Sequence, residues 1–491
     1  MLKFLKKNFL IIAIILLAAF LRLYQISGYM EFLGDQGRDV TIIRDFLKNG
    51  NLFFIGPQTS VGNMYLGPYF YYLIAPSLLL SNFNPVGPAI FVALIGVATV
   101  ALVFLISKKW FNLKTAYIAS FLYAISPVAI KYSNFIWNPN IMPFFSLLFV
   151  YFFFESFKSK KYQYLIFASL AFVMVINSHY LGLCLLPFTG LFWLSNLIKF
   201  IKTKSKQLKP FLINSLIAIL VFIISLTPQV LFDIKHDGQN IKAFLGFFSQ
   251  KDTSISINPF ASIINTPILF NQINTRLLAG KNETAGLIIS IVFIIGLILI
   301  MLKKKNNKTS FYIPFFWYLS GLFCLILYKQ FINDHYFTFL YPAVFILVGF
   351  LISKFKFIGI PLLLLITVFS LLNNPFRWPP NDQFGTTNKI GDLIINNSNN
   401  QDFNFALLAK QNYDPSYRYV LGSKQAKIVD IPVKLADQLF VVCEPSPQID
   451  CNPVNNPEWA VAAFGWAKID NQWEINGIKV FKLIHNLENK Q

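Results

Sequence analysis

The sequence predicts an α-helical polytopic membrane protein of about eleven transmembrane helices. It also predicts interfacial helices in the first outer loop and a small C-terminal α/β domain outside the cytoplasm. Of the 491 residues, 55% are hydrophobic and only 13% are charged, whereas a soluble domain carries about 25% charged residues. The apolar residues form long runs, and lysines lie in alternate loops between these runs.

The length of the apolar runs locates the predicted spans, because a transmembrane helix needs about 20 mostly apolar residues. The first run follows Lys3, Lys6 and Lys7 and lacks a small-residue cleavage site. We therefore expect an uncleaved first helix rather than a signal peptide. The predicted spans are residues 8–24, 87–107, 115–131, 139–155, 162–178, 180–198, 211–231, 284–302, 311–328, 336–353 and 357–372.

The lysine positions orient these helices, because basic residues concentrate in cytoplasmic loops. We place the protein in the cytoplasmic (inner) membrane, with its N-terminus in the cytoplasm and its C-terminal domain outside. The same placement explains the net charge of +20 without nucleic-acid binding, since no basic stretch in a soluble region is interleaved with stacking aromatic residues. The basic loops contain Lys108, Lys109, Lys114, Lys158, Lys160, Lys161, Lys199, Lys202, Lys204, Lys206, Lys209, Lys303, Lys304, Lys305, Lys308, Lys354 and Lys356.

The predicted outer regions divide the chain into two domains. Residues 1–372 form a transmembrane domain with outer loops at about 25–86 and 232–283, and residues 373–491 form an extracytoplasmic domain. The second domain is polar and contains short apolar runs typical of strands. We expect strands at Phe405–Ala409, Tyr417–Leu421, Leu439–Val442 and Ile478–Leu483, and a helix at Asn388–Asn396.

Two of the four cysteines lie in the C-terminal domain, in the segment CEPSPQIDC. Disulfides persist outside the cytoplasm, so we expect Cys443 and Cys451 to be bonded, the alternative being two free thiols. Cys184 and Cys324 fall in predicted spans and are most simply core residues. The spacing of the cysteines is not that of a zinc site.

Outer loop one contains two stretches that are more typical of interfacial segments than of spans. Val40–Leu47 predicts a short helix lying on the membrane. Tyr65–Leu80 is apolar and aromatic, but Pro68 and Pro76 interrupt it. We therefore expect an interfacial or re-entrant segment there.

The same loop opens with FLGDQGRD, which places Asp35, Arg38 and Asp39 directly after the first span. Gly34 and Gly37 would allow a tight and unusual backbone path. A carboxylate facing a cavity at the membrane interface can act as a base on a hydroxyl group, or help to hold a divalent cation. The alternative is a solvated loop in which Arg38 is paired locally.

A second group of polar residues lies near the outer ends of other spans. Lys131 is a cation on the predicted outer side, suited either to snorkelling or to an anionic lipid phosphate. Asn138 and Asn140 begin the next span, and His179 joins two spans in NSHY. His179 has two interpretations, a hydrogen-bonded structural residue or a ligand-binding residue.

The segment NDHYFTFLYP places His335 and Tyr336 at the outer start of a span, with Pro342 further in. A histidine at a helix N-terminus suits an anion such as phosphate. A proline inside a span frees a carbonyl group and kinks the helix. A further polar loop, DIKHDG, could ligate a metal through its acids and His236, but this spacing is more typical of an ordinary loop.

These features together resemble the C-type glycosyltransferases of the protein O-mannosyltransferase and aminoarabinose-transferase group. The resemblance covers about residues 1–372 and depends on the span layout, the acidic cluster after span one, the H-Y-x5-P turn and the outer C-terminal domain. It implies transfer of a sugar from a polyprenyl-phosphate donor to an acceptor outside the cytoplasm.

The resemblance also implies roles for individual residues. Asp35 matches the first acid of the family's Asp-Glu pair and would be the catalytic base, while Gln36 replaces the second acid and leaves Asp39 as the other candidate carboxylate. His335 and Tyr336 match the Arg-Tyr pair that meets the lipid phosphate, although histidine is a weaker, pH-dependent cation. An Asn at position 140, near which the family often has Asp, cannot be a base and would be structural or sugar-binding.

The function expected from the sequence is therefore sugar transfer with inversion. Arg38, Lys131, His335 and Tyr336 would bind the donor phosphate, and Asn138, Asn140 and His179 are candidate substrate-binding residues. The expected partners are a polyprenyl-phosphate sugar, membrane lipids and an acceptor glycan, lipid or protein; a divalent cation is compatible with the sequence but not required by it. The alternatives are a lipid or solute transporter or flippase, which usually has ionisable residues near the bilayer midplane, and a scaffold protein whose C-terminal domain is the working part.

Overall fold

A computed structural model describes residues 2–60, 62–249, 263–302, 309–328, 331–447 and 451–486. The chain forms two compact units. The first consists of Met1–Tyr24, Asn51–Ser77 and Pro88–Pro379, and the second of Gln25–Gly50, Leu78–Gly87 and Pro380–Gln491. Part of the predicted outer loop 232–283, and the orienting lysines at positions 303, 304, 305 and 308, lie outside the described residues.

Apolar helices dominate the chain. Among the described residues, six helices are long and apolar enough to cross a membrane, and six more apolar helices are shorter. Every predicted span overlaps one of these helices, while the number that cross the membrane stays a prediction. The long helices are Val86–Trp110, Asn138–Ser159, Tyr180–Lys202, Leu208–Ser225, Glu283–Leu302 and Asp334–Lys354, and the shorter ones are Asn8–Leu23, Tyr69–Leu80, Leu113–Ile125, Tyr164–Ser178, Ser310–Leu325 and Lys356–Leu372.

Shorter helices connect these elements. The interrupted apolar stretch 65–80 contains the helix Tyr69–Leu80, and the first turns of three long helices are 3₁₀ in character, at Asn138–Ile141, Tyr180–Leu185 and Asp334–Leu340. The remaining helices are Ile26–Tyr29, Gly34–Asn49, Pro127–Lys131, Thr227–Lys235, Gln239–Ser249, Thr266–Leu278, Pro375–Arg377, Gln383–Asn397, Pro415–Ser423 and Trp459–Phe464.

The helix Tyr341–Lys354 lies at the centre of the first unit, with buried side chains around its whole circumference. Small residues let its neighbour approach closely, as is common between membrane helices. A Cβ added at Gly349 would lie 2.8 Å from the Cβ of Ala119, in the helix Leu113–Ile125. The spacing between these two helices therefore depends on residues without large side chains.

The predicted span 115–131 is broken into two helices, Leu113–Ile125 and Pro127–Lys131. Pro127 has no N–H group, so the carbonyl four residues earlier, at Tyr123, loses its usual helical donor. The guanidinium of Arg22, whose residue is 1% exposed, donates to the carbonyl oxygens of Tyr123 at 3.3 Å and Ala124 at 3.0 Å. Arg22 therefore satisfies backbone groups that the break leaves without helical partners.

The second unit contains a four-stranded sheet in the order β1-β2-β4-β3. β1 (Asn404–Leu408) runs parallel to β2 (Gln438–Cys443), and β4 (Ile478–His485) pairs antiparallel with both β2 and β3 (Ala467–Ile475). Apolar residues cover both faces of β1 and β2, as expected for strands enclosed by helices. Cys443, at the end of β2, is bonded to Cys451 with a Cα–Cα distance of 5.7 Å.

Three of the four predicted strands are confirmed and one is wrong. The residues of Tyr417–Leu421 form part of the helix Pro415–Ser423 instead. This helix starts with Pro415, a favoured first helical residue, and buries Tyr417, Val420 and Leu421 on one face at helical spacing. The predicted helix Asn388–Asn396 is also longer, extending over Gln383–Asn397.

The second unit also includes residues that a cut at residue 372 assigns to the transmembrane domain. The segments Gln25–Gly50 and Leu78–Gly87 are grouped with the C-terminal residues from Pro380 onwards. The N–H of Phe32 donates to Oε1 of Gln383 at 2.8 Å, and the hydroxyl of Tyr419 donates to the carbonyl of Phe83 at 2.5 Å. Composition alone does not reveal such long-range contacts.

Replacement of Arg22 tests its role in the helix break. We expect Arg22→Met to destabilise the folded protein by about 2 kcal/mol, because buried carbonyl groups lose their donors. The measurement is thermal unfolding of the purified protein in detergent. Arg377→Met is the matched control, because Arg377 also donates to a carbonyl, that of Leu372 at 3.0 Å, but at an exposed position. Equal melting temperatures for both variants would contradict the proposed role.

Candidate functional site

The acidic motif of loop one lies at the start of a long helix, Gly34–Asn49, which we call the loop-one helix. This helix is longer than the predicted Val40–Leu47 and begins at the motif itself. The N–H of Leu33 is capped by Oε1 of Gln36 at 3.0 Å, and the N–H of Gly34 by Oδ1 of Asn412 at 2.8 Å. The first turn is therefore held partly by its own residues and partly by the C-terminal segment of the same unit.

The two glycines of the motif have a different role from the one expected. Gly34 and Gly37 lie in ordinary helix rather than in an unusual backbone path. A Cβ at Gly34 would lie 2.3 Å from Cδ1 of Tyr413, and a Cβ at Gly37 would lie 2.3 Å from the backbone nitrogen of Ser416. Small size, rather than backbone freedom, is what these positions require.

Asp35, Arg38 and Asp39 form one charged cluster with Tyr413. Nε and Nη2 of Arg38 donate to Oδ1 of Asp39 at 2.9 and 2.7 Å, and Nη1 donates to Oδ1 of Asp35 at 2.9 Å. The hydroxyl of Tyr413 donates to the same oxygen of Asp35. The side chain of Asp35 is 39% exposed, whereas that of Asp39 is fully buried, so of the two acids Asp35 is the one that an external molecule can reach.

The phenol of Tyr413 is a donor that keeps its proton. Burial raises its pKa well above the usual range, and the hydrogen bond to Asp35 raises the pKa further. Both effects disfavour the phenolate. The local pairing that the sequence suggested for Arg38 is therefore present, but it includes a tyrosine that the motif does not contain.

The first unit contains a second cluster, made of aromatic rings around His335. The ring of His335 lies 4.5 Å from that of Trp137, 4.4 Å from that of Tyr336 and 6.1 Å from that of His179, measured between centroids. Lys131 is exposed, and its ammonium group lies 5.8 Å from the ring centroid of Tyr132, whose ring is 6.4 Å from that of His335. The structure thus brings together Lys131, His179, His335 and Tyr336.

Two further cations lie next to this cluster. Asp334, the residue before His335, is buried and faces Nζ of Lys281 at 3.3 Å and Nε of Arg276 at 3.7 Å. Neither cation is evident from the sequence, because both reach Asp334 through a contact between distant segments. Arg276 lies in the last turn of the helix Thr266–Leu278, where a cation interacts favourably with the helix dipole.

The candidate substrate-binding residues of this unit bond to the backbone. Nδ2 of Asn138 donates to the carbonyl of Ser178 at 2.6 Å, and Nδ2 of Asn140 donates to that of Phe135 at 2.9 Å. Nδ1 of His179 accepts from the N–H of Leu181 at 3.1 Å, and burial lowers the pKa of His179 to about 4. His179 is consequently neutral at pH 7 and caps the following 3₁₀ turn.

Metal-binding groups are sparse in the parts of the chain that the structure describes, where no group of three or more His, Cys, Asp or Glu side chains could hold a metal ion. In the DIKHDG loop, Asp233 instead accepts from the backbone N–H groups of Asn240 at 2.6 Å and Ile241 at 3.1 Å. The ring of His236 stacks on Phe232, with centroids 4.1 Å apart. Asp233 therefore caps the next helix, Gln239–Ser249.

Known proteins match the chain in part of its sequence and over nearly all of its fold. Residues 66–227 match the family model described as dolichyl-phosphate-mannose-protein mannosyltransferase. The crystal structure of ArnT from Cupriavidus metallidurans bound to undecaprenyl phosphate is similar, with a TM-score of 0.65 at 11% identity, covering 97% of this chain and 98% of that one. The apo state of the same protein gives 0.63 at 11% identity, with 96% and 97% covered.

A more distant similarity is to the Archaeoglobus fulgidus oligosaccharyltransferase in complex with Zn and sulfate. Its TM-score is 0.50 at 12% identity, covering 89% of this chain and 68% of that one. By sequence, no curated protein matches. The identities are low, so the structural similarities concern the fold.

Fold and motif together define a class: this chain is a multi-pass membrane protein with the fold of the C-type, polyprenyl-phosphate-dependent glycosyltransferases. The resemblance predicted from the sequence, to the protein O-mannosyltransferase and aminoarabinose-transferase group, is confirmed by this similarity of fold and by the family-model match over residues 66–227.

Substitution of Gly37 tests the close approach of the loop-one helix to the segment around Ser416. We expect Gly37→Ala to destabilise the folded protein by about 1–3 kcal/mol, because the added methyl group overpacks a rigid backbone contact. Gly422→Ala is the control: it also changes a helical glycine in the same unit, but its Cβ would meet only side-chain atoms of Arg44 at 3.6 Å. Thermal unfolding in detergent compares the two, and an equally stable Gly37→Ala protein would show that the contact tolerates a side chain.

Proposed function

We propose that this chain is a membrane glycosyltransferase that transfers a sugar from a polyprenyl-phosphate donor to an acceptor hydroxyl outside the cytoplasm, with inversion. The observation that carries the proposal is the reachable carboxylate of Asp35, held by Arg38 and Tyr413 in a chain with this fold. The N-terminus lies in the cytoplasm and the second unit outside it. The chain crosses the membrane about eleven times.

The reaction is a single displacement. Asp35 accepts the proton of the acceptor hydroxyl, and the acceptor oxygen forms a bond to the anomeric carbon of the donor sugar. The bond between that carbon and the phosphate oxygen breaks, and the polyprenyl phosphate leaves with the electron pair. One nucleophile attacking one face of the sugar inverts the anomeric configuration, in contrast to the two-step route through a covalent intermediate.

Cations stabilise the charge that develops on the departing phosphate. We assign this role to the cations Lys131 and Arg38. His335 and Tyr336, which the resemblance places at the donor phosphate, contribute hydrogen-bond donors. Arg276 and Lys281 add two cationic groups beside His335, since both face Asp334. Asn138, Asn140 and His179 act in substrate binding by shaping the segments on which these groups lie.

Two comparisons with known proteins support a polyprenyl-phosphate donor. ArnT, the similar protein, was crystallised with undecaprenyl phosphate, and the family model is described by a dolichyl-phosphate sugar. Both are sugar carriers with a phosphate attached to a long polyprenyl chain. A cluster of cations next to aromatic rings suits such a phosphate.

Asp35→Asn tests the catalytic base. We expect transfer to fall by at least about 100-fold, because general-base catalysis contributes about 10²–10⁴-fold. The assay follows consumption of undecaprenyl-phosphate mannose, glucose and 4-aminoarabinose by the full chain in proteoliposomes, with a cell-envelope extract as acceptor. Asp45→Asn is the matched control on the same helix, where Asp45 is 56% exposed.

The outcomes of this assay separate the competing functions. Normal transfer by Asp35→Asn would contradict the assigned base. If the wild-type protein moved the intact donor across the bilayer without changing it covalently, the chain would be a flippase rather than a glycosyltransferase.

Lys131→Ala tests the donor phosphate site. We expect inhibition by added undecaprenyl phosphate to weaken about 10-fold, because a cation that contacts a phosphate contributes roughly 1.4 kcal/mol or more. Lys114→Ala, which removes an exposed lysine from the first turn of the helix Leu113–Ile125, is expected to leave the inhibition constant unchanged. Equal inhibition of both variants would contradict the assignment of Lys131 to the donor site.

A further inference from the structure

The C-terminal part of the second unit contributes a side chain directly to the loop-one cluster. The hydroxyl of Tyr413 donates to Oδ1 of Asp35 and accepts from Nη1 of Arg38 at 3.1 Å. Oδ1 of Asp35 therefore has two donors, one from its own helix and one from a segment 378 residues further along the chain. The exposed remainder of the carboxylate is left to meet an acceptor.

Asn412 fixes the position of Tyr413 against the loop-one helix. Its Oδ1 accepts from the N–H of Gly34 at 2.8 Å and from the N–H of Tyr413 at 2.9 Å. Oδ1 of Asn412 thus links the backbone of Gly34, the residue before Asp35, to the backbone of Tyr413, whose hydroxyl donates to Asp35. Gly34 makes this possible, because a side chain there would occupy the place of the Tyr413 ring.

Glu444 in turn fixes Asn412. Its Oε1 accepts from Nδ2 of Asn412 at 2.7 Å and from the hydroxyl of Tyr417 at 2.9 Å. Glu444 directly follows β2, and its N–H donates to the carbonyl of Leu408 at 2.9 Å, which extends the pairing with β1. The orientation of the amide is therefore set by the rigid sheet.

The space around Glu444 argues against a direct role in binding a sugar. Leu33, Asn412, Tyr417 and Glu444 border a cavity of about 110 Å³, well below the roughly 300–1,000 Å³ of ligand pockets. Burial and the neighbouring carboxylate of Glu444 raise the pKa of Tyr417 far above the usual range, so this phenol remains a donor. Glu444 and Asn412 consequently act through other residues.

We propose that Tyr413, held by Asn412 and Glu444, is a positioning residue that orients the Asp35 carboxylate through the hydrogen bond from its hydroxyl. A hydrogen bond donated to a carboxylate favours its charged form, and a base must be ionised before it can take a proton. The assignment rests on the proposed function in so far as it makes Asp35 the base. The C-terminal segment then has a role in catalysis itself, beyond any contact with an acceptor.

The test measures the protonation of Asp35 directly, without donor or acceptor. The full chain in detergent is labelled with a water-soluble carbodiimide and glycine ethyl ester between pH 3 and pH 7, a range that includes the usual aspartate pKa of about 3.9, and the modified carboxyl groups are mapped by mass spectrometry. Carbodiimides react with protonated carboxyl groups. In Tyr413→Phe we expect the pH midpoint for labelling of Asp35 to rise by about one unit, as loss of one charge-assisted hydrogen bond implies.

Two references make the measurement specific. Asp45 of the same helix serves as an internal standard whose midpoint stays constant. Tyr419→Phe is the matched control, because it removes a hydroxyl that donates to a backbone carbonyl of the same unit. Asn412→Ala and Glu444→Gln are expected to shift the Asp35 midpoint in the same direction as Tyr413→Phe, but less. A Tyr413→Phe midpoint equal to that of the wild-type protein overturns the proposal.

Transfer assays then distinguish this inference from the proposed function. We expect Tyr413→Phe to lower kcat about 10-fold with little change in the KM for donor, and to cause no further loss in an Asp35→Asn background. An active Asp35→Asn protein contradicts the proposed base. An inactive Asp35→Asn protein combined with a fully active Tyr413→Phe protein contradicts only the positioning role, and an effect of Tyr413→Phe confined to the KM for acceptor does the same.

Discussion

The interaction on which much of the first unit depends is the contact of one buried guanidinium with the carbonyl groups of a broken helix. In lipid, every backbone polar group needs a partner inside the protein, and Ser126–Pro127 leaves carbonyl groups without one. Arg22 supplies the donors from the first helix. A buried ionisable residue in a membrane segment usually marks a functional site, and here the function is to let a helix end early. The short helix that follows, Pro127–Lys131, ends at the lysine of the aromatic cluster.

The second unit solves a related problem with close packing. Its loop-one helix begins at the motif that carries the acids, and two glycines let the backbone around Tyr413 and Ser416 approach that first turn. The side-chain amide of Asn412 then accepts from the N–H of Gly34, one of the groups that a helix start leaves open, and that of Gln383 accepts from the N–H of Phe32 just before the helix. In each unit, the candidate functional groups lie where regular helix geometry is interrupted, and side chains from distant segments complete the hydrogen bonds.

This pattern explains what the sequence could predict. Apolar length located the helices, and the short motifs located Asp35, Arg38 and His335, because these signals are local. The partners of these residues, Tyr413 and Lys281 among them, could not be found, since they come from contacts between distant segments. The helix Pro415–Ser423 was mistaken for a strand because short apolar runs fit both periodicities. The strand β3 was missed because its residues are largely exposed and polar.

The two acids of the loop-one motif have different surroundings. Asp39 is fully buried, and a single oxygen of it accepts from both Nε and Nη2 of Arg38, which fixes the plane of the guanidinium. The third contact, from Nη1, is then directed at Asp35, the more exposed acid. Because charges that are buried need partners, Asp39 cannot be both the anchor of Arg38 and a base that gains and loses protons. Under the proposed function, Asp35 is the reacting carboxylate and Asp39 is the group that holds its arginine in place.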